Sequence, residues 1–144
     1  QTGADQAALD AAISKGVPHS GWIPKGRLTE NGPLDKKYHL QEMPTELYLE
    51  RTEKNVVDSD GTLIFSFGPL TGGSLETQHF AAKHEKPWMF IDLDVVEPDD
   101  AVAEIRNWTS QTSIRVLNVA GPRASKSPKI YTAVFEIVQA VLTN

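Results

Sequence analysis

Two adjacent glycines followed by a hydroxyl residue, in the run Gly68-Pro69-Leu70-Thr71-Gly72-Gly73-Ser74, are the most chemically informative feature of this sequence. Glycine lets a backbone pass close to a ligand. The free amides at the start of a following helix, with the hydroxyls of Thr71 and Ser74, can hold a phosphate or another anion. A tight turn with Ser74 as an ordinary helix cap would leave the same trace. The spacing matches neither the dinucleotide-binding glycine pattern nor the lysine-bearing phosphate loop. Arg123 offers a fork of donors suited to phosphate or carboxylate, with Asn118, Gly121, Pro122 and Ser125 nearby, although an arginine satisfying loop carbonyls would look no different. Lys25 and Arg27 could close over an anion as a lid, or remain solvated loop charges. Arg51 and Asn55, four apart on one helix face, could meet a ligand together or belong to an exposed, salt-bridged face. Asp5 stands at a helix start, where the macrodipole alone favours a carboxylate.

Other chemistries find less support. The sequence has no cysteine, which removes disulfides, thiolate nucleophiles, zinc fingers and iron-sulfur clusters. His19, His39, His79 and His84 contain no i, i+4 pair, so no protein-ligated metal is expected. Asp92, Asp94, Glu97, Asp99 and Asp100 follow a strand and could ligate magnesium, but capping of the next helix is favoured. Asp58 and Asp60 precede a strand and read as turn residues. No serine-histidine-acid constellation can be assigned.

The elements that must position these residues alternate in kind. A helix over 5–15, stopped by Gly16, is followed by a strand over 17–23 and a loop over 24–44, long enough to be a lid or binding loop. Thr45 can cap a helix to Val57. The continuous apolar run 62–66 reads as a strand covered on both faces. A helix over 74–84, a strand over 88–92, a helix over 98–109 and a strand over 114–119 follow. Ser127 and Pro128 then open a helix with Ile130, Val134, Ile137, Val138 and Val141 on one stripe. The opening Gln1-Thr2-Gly3-Ala4-Asp5 reads as the turn after a strand, so a strand upstream of Gln1 is expected. Parallel strands joined by helices predict an α/β, three-layer Rossmann-like sandwich in one domain over 1–144. In such sheets ligands gather beyond the carboxyl ends of the strands. The segments at that edge are 1–5, 24–27, Ser66 to Ser74 and 118–125.

With 144 residues, 40% hydrophobic and 23% charged, and a net charge of -5, the chain is expected to fold alone, without nucleic acid or membrane as a partner, in the cytoplasm. The helices over 98–109 and 127–142 are apolar enough for a homo-oligomer.

The loop residues resemble the family whose members are named molybdenum carrier proteins, related to the lysine-decarboxylase-like LOG proteins and to the YpsA-like branch of the SLOG nucleotide sensors. The matching stretches are Gln-Thr-Gly-Ala-Asp at 1–5, Gly-Trp-Ile-Pro-Lys-Gly-Arg at 21–27, Arg-Thr-Glu-Lys-Asn-Val at 51–56, Ser-Asp-Gly-Thr-Leu-Ile at 59–64, Gly-Pro-Leu-Thr-Gly-Gly at 68–73 and Leu-Asn-Val-Ala-Gly-Pro-Arg at 117–123. The resemblance implies a pocket for a small anionic ligand, either molybdenum cofactor (molybdopterin) or a nucleotide. It also implies partners among molybdoenzymes or cofactor-synthesis proteins. LOG enzymes cleave the glycosidic bond of a nucleoside monophosphate and carry Pro-Gly-Gly-x-Gly-Thr-x-x-Glu. Aligning Gly73-Ser74 on the final Gly-Thr puts Thr77 where that glutamate stands, with Glu76 turned about 100° away on a helix. A non-catalytic binding protein is therefore the leading expectation. A LOG-like phosphoribohydrolase using Glu76 or Asp5 is the alternative.

Overall fold

Every residue of the strand Gly61–Ser66 is buried, as expected for the middle of a parallel sheet with helices on both faces. The computed structural model describes residues 2–143; Gln1 lies outside them. In chain order the elements are α1 (Ala4–Ser14), β1 (Trp22–Ile23), a 3-10 turn at Lys25–Arg27, β2 (Leu28–Thr29), β3 (Gly32–Pro33), β4 (Gln41–Glu42), α2 (Tyr48–Val57), β5 (Gly61–Ser66), α3 (Gly72–Lys83), β6 (Trp88–Asp92), α4 (Pro98–Gln111), β7 (Leu117–Ala120) and α5 (Ile130–Val141). The central sheet runs β6-β5-β7 and is parallel throughout, with Ser66 opposite Asp92 and Ile64 opposite Ala120. Two small sheets accompany it, β1 parallel to β4 and β2 antiparallel to β3.

Alternation along β5 divides the interior. Leu63 and Phe65 pack with Ala4, Ala7 and Ala11 of α1, Ala101 and Ile105 of α4, and Ile130, Val134, Ile137 and Val138 of α5. Alanine along one side of α1 lets it lie close against α5. The opposite face of β5 is covered by α3, and α2 packs beside α3. Glu53 ties these two helices together, accepting from Lys83 Nζ at 2.9 Å and from His84 Nε2 at 2.7 Å. The result is the three-layer, Rossmann-like α/β sandwich expected from the alternation of elements.

Several boundaries differ from the sequence expectation, each for a local reason. The strand expected over 17–23 pairs only at Trp22–Ile23, since Pro18 has no N–H to give a ladder and Gly21 takes φ +142°. The stretch 24–44 is more ordered than a bare loop. It contains the β2–β3 hairpin, marked by Asn31-Gly32 with Gly32 at φ +93°, and a second small core of Ile23, Leu34 and Tyr38 with Leu9 and Leu40. Thr45 makes a turn rather than a cap, its Oγ1 accepting from Leu47 N at 3.1 Å, and α2 begins at Tyr48. Helix α3 starts at Gly72 after Thr71, which places Ser74 inside the first turn and not at the cap. The acidic run after β6 does not cap α4 through its side chains. Asp92 instead accepts from the amides of Gly68 at 2.9 Å and Asp94 at 3.0 Å, pinning the loop that leaves β5. Residues 127–129 form a turn ahead of α5, whose first helical residue is Ile130.

Candidate functional site

A cavity of about 820 Å³ opens beyond the carboxyl ends of β5 and β7, the edge where a sheet of this kind places its ligands. Ser66 ends β5 at its floor, while Asn118 and Ala120 bring β7 to it. Around this floor stand Thr2 and Asp5 from the first loop and helix, Arg51 and Asn55 from α2, Thr71, Gly73, Ser74 and Thr77 from the start of α3, and Gly121, Pro122 and Arg123 from the last loop. The remote segments expected to share one edge therefore do meet.

The arrangement explains which glycines matter and how. A Cβ on Gly3, itself at φ +62°, would lie 2.4 Å from Pro122 O, and one on Gly121 would lie 2.6 Å from Ala4 Cβ and 2.7 Å from Phe65 O. These two glycines let protein segments press against each other, and Ala4 is fully buried beneath them. Ala4 N donates to Pro122 O at 3.2 Å and closes the same contact.

Arg51 is the electrostatic centre of the wall. Its Nε and Nη1 are buried without a hydrogen-bond partner, and the nearest carboxylate, Asp5 Oδ2, stands 3.8 Å from Nη1. That separation exceeds a hydrogen bond, so the pair attract without satisfying each other's donors and acceptors. Burial pushes the Asp5 carboxyl above its ordinary range, and the positive charge of Arg51 pulls the other way. Lys126 and Lys129 add positive charge to the lining, and Lys126 Nζ sits 3.4 Å from where a Gly72 Cβ would be, close to the start of α3. The first amides of that helix have no intrahelical acceptor and carry its positive dipole end. Leu28, Tyr48 and Phe67 supply an apolar rim, each of them more than a third exposed. Arg51, Arg123, Lys126 and Lys129 thus share the lining with the carboxylates Asp5, Glu30, Glu46 and Asp94, and the cations and apolar rim on one space can receive a ligand with an anionic group and a flat, weakly polar part.

Some expected site residues have other employment. Arg27 donates to four carbonyls, those of Leu34 and Leu40 at 3.3 Å and those of Asp35 and Tyr38 at 2.8 Å. It organises the 24–44 segment from within and does not line the cavity. Lys25 is exposed outside the lining, its amide donating to Thr45 O at 2.8 Å. Asn55 lines the cavity, yet its amide group brackets Trp22, accepting from Trp22 N at 2.8 Å and donating to Trp22 O at 3.2 Å. Ser125 lies just outside, bound to Glu30. Glu76 is half exposed, 4.0 Å from His79, and is not among the lining residues, whereas Thr77 is, with its hydroxyl donating to Gly73 O at 2.9 Å.

Glu30, Tyr48, Lys126 and Lys129 line the cavity without having been singled out from the sequence. Only Glu30 had a readable signal nearby, because Asn31-Gly32 marks the hairpin that carries it. Among the described residues no group of three or more His, Asp or Glu side chains is placed to hold a metal ion, and no helix is long and apolar enough to cross a membrane.

A parallel Rossmann-like sheet with its cleft at the strand ends, bordered by a glycine-rich helix start, defines a Rossmannoid protein. The chain belongs to the circularly permuted YpsA SLOG family, whose model matches residues 1–142. It is also similar to a solved structure from Syntrophus aciditrophicus SB named "Putative molybdenum carrier protein", with 54% identity and a TM-score of 0.98 over 99% of this chain and 90% of that one. No curated protein matches it.

Proposed function

We propose that this protein binds a phosphate-bearing pterin or nucleotide and carries it without converting it, with molybdenum cofactor as the favoured cargo. The observation that supports this reading most directly is the Arg51 guanidinium, two of whose nitrogens are buried in the cavity wall without an acceptor. A buried donor left unpaired costs about 1–3 kcal/mol, more when charged, and an anionic or carbonyl-bearing ligand would repay that cost. The start of α3 with Lys126 suits the phosphate, and Tyr48 and Phe67 suit a flat ring. The name of the 54% identical relative points the same way. Molybdenum would then travel as part of the cofactor, held through hydrogen bonds to its ligand and not by protein side chains. Placement of Glu76 outside the cavity lining weighs against LOG-type hydrolysis through that residue, and of the two carboxylates expected from the sequence only Asp5 lines the cavity.

The test is a thermal-shift series with AMP, ADP-ribose, NAD, molybdate and a molybdopterin-type ligand, followed by a turnover assay on any nucleotide that binds. At 100 times its dissociation constant a true ligand adds about 2.7 kcal/mol, or about 5–10 °C in Tm. A shift with the pterin that Arg51→Met removes is the expected result. Release of free base from AMP would replace the carrier reading with the hydrolase one. Absence of a shift throughout the series would overturn both.

A further inference from the structure

The tip of the β2–β3 hairpin puts a carboxylate where an anion would be expected. Glu30 accepts from Thr2 Oγ1 at 2.6 Å and from Ser125 N at 3.2 Å, and the Ser125 hydroxyl makes a further short hydrogen bond to it. Thr2 Oγ1 is itself oriented by Ala124 N, which donates to it at 3.2 Å. Arg123 lines the cavity together with Glu30, its charge adds a small push toward the ionised carboxylate, and its guanidinium makes no hydrogen bond among the described residues. Two hydroxyls and one amide therefore converge on the oxygens of one exposed side chain, and Arg123 lines the same cavity.

Nothing else in the hairpin requires this contact. Strands β2 and β3 pair over two residues each, and Leu28 is 42% exposed. So short a hairpin has little stability of its own. Leu28, Thr29 and Glu30 nevertheless form part of the cavity lining. The carboxylate is what fastens that wall to the first and last loops.

We propose that Thr2, Arg123 and Ser125 form a subsite for a tetrahedral oxyanion, and that Glu30 occupies it as an internal competitor which such an anion displaces, releasing the hairpin. Two carboxylate oxygens present the acceptor pattern of two oxygens of a phosphate, so the same donors serve either. The anion can be free or can be the phosphate of a larger ligand. The inference stands on the donors around Glu30 and not on the cargo proposed above. Because only the fraction of molecules with Glu30 detached can bind, the apparent affinity is lowered by that fraction, and removing the competitor restores it.

Isothermal titration with inorganic phosphate, molybdate and AMP, on the wild type and on Glu30→Ala and Glu30→Gln, tests this. Glu30→Ala should bind phosphate at least about tenfold more tightly than wild type, and Glu30→Gln, which keeps an acceptor but no charge, should fall between them. Adding Thr2→Val or Ser125→Ala to Glu30→Ala should abolish the gain, with the Ser125 amide resonance moving on phosphate addition only where binding occurs. In the wild type, phosphate should speed amide exchange across 28–33. Tighter binding by free phosphate and molybdate assigns a free oxyanion, and tightening confined to AMP assigns the phosphate of a larger ligand. A folded Glu30→Ala protein, checked by circular dichroism, that binds all three no better than wild type would overturn the proposal. So would a gain that survives the second substitution, since that is the signature of a general charge effect.

Discussion

The α1–α4–α5 side of the central sheet and the segment from Val17 to Pro44 lie side by side but are held by different physics. On the first, fully buried apolar side chains from three helices close on Leu63 and Phe65, and few polar groups take part. The second has a small apolar centre at Ile23, Leu34 and Tyr38 and depends on polar ties. Arg27 gathers four carbonyls, Asn55 brackets Trp22, and Asp10 receives the hydroxyls of both Tyr38 and Tyr131. The difference teaches that the cavity has a floor, at the ends of β5 and β7, fixed by burial and a wall, at 24–30, fixed by hydrogen bonds. Burial is non-directional and resists local change, whereas a hydrogen-bonded wall can be released one partner at a time.

Substitutions should expose this contrast in order of size. Phe65→Ala empties the centre of the apolar side and should cost about 3–5 kcal/mol, seen as a lower urea midpoint with exchange accelerated throughout the fold. Arg27→Met should cost about 1–3 kcal/mol by leaving its carbonyls without their donor. Its effect should concentrate in amides 28–40, and equal acceleration in β5 would show that the two regions are not separable. Acid should produce the smallest and most local change. Hydrogen bonds from Ser125 and Thr2 hold the Glu30 carboxyl below its ordinary value of 4.5. A carboxyl lowered on folding stabilises the fold above its unfolded value and loses that contribution as pH falls through its folded one. Exchange at 28–33 should therefore rise below about pH 4.5 before the β5 amides respond, and a simultaneous response of both regions would contradict the division.

The same division governs what could be read in the sequence. Strands β5 and β6 and the five helices were legible because burial leaves a periodic trace, as at Ile130, Val134, Ile137 and Val138. The four loops at the sheet edge followed from the order of elements. Arg27 was not legible: an arginine in a loop looks free for a ligand, and acceptors that are backbone carbonyls leave no pattern in side-chain identity. Glu30 escaped for a related reason, since its partners lie 28 and 95 residues away. Gly3 and Gly121 were legible only as members of the loops at the ligand edge, and the close approach that each makes is to protein.

Those two glycines also have a mechanical consequence. Neither has room for a methyl group, so the beginning of α1, the end of β5 and residues 121–124 meet with no slack between them. A pull on the last loop has to be passed on to α1 as if the two were welded, and α1 carries Asp10 with the tyrosines it joins. The polar wall of the cavity is therefore hung from a stiff bracket, and its give is confined to the hairpin.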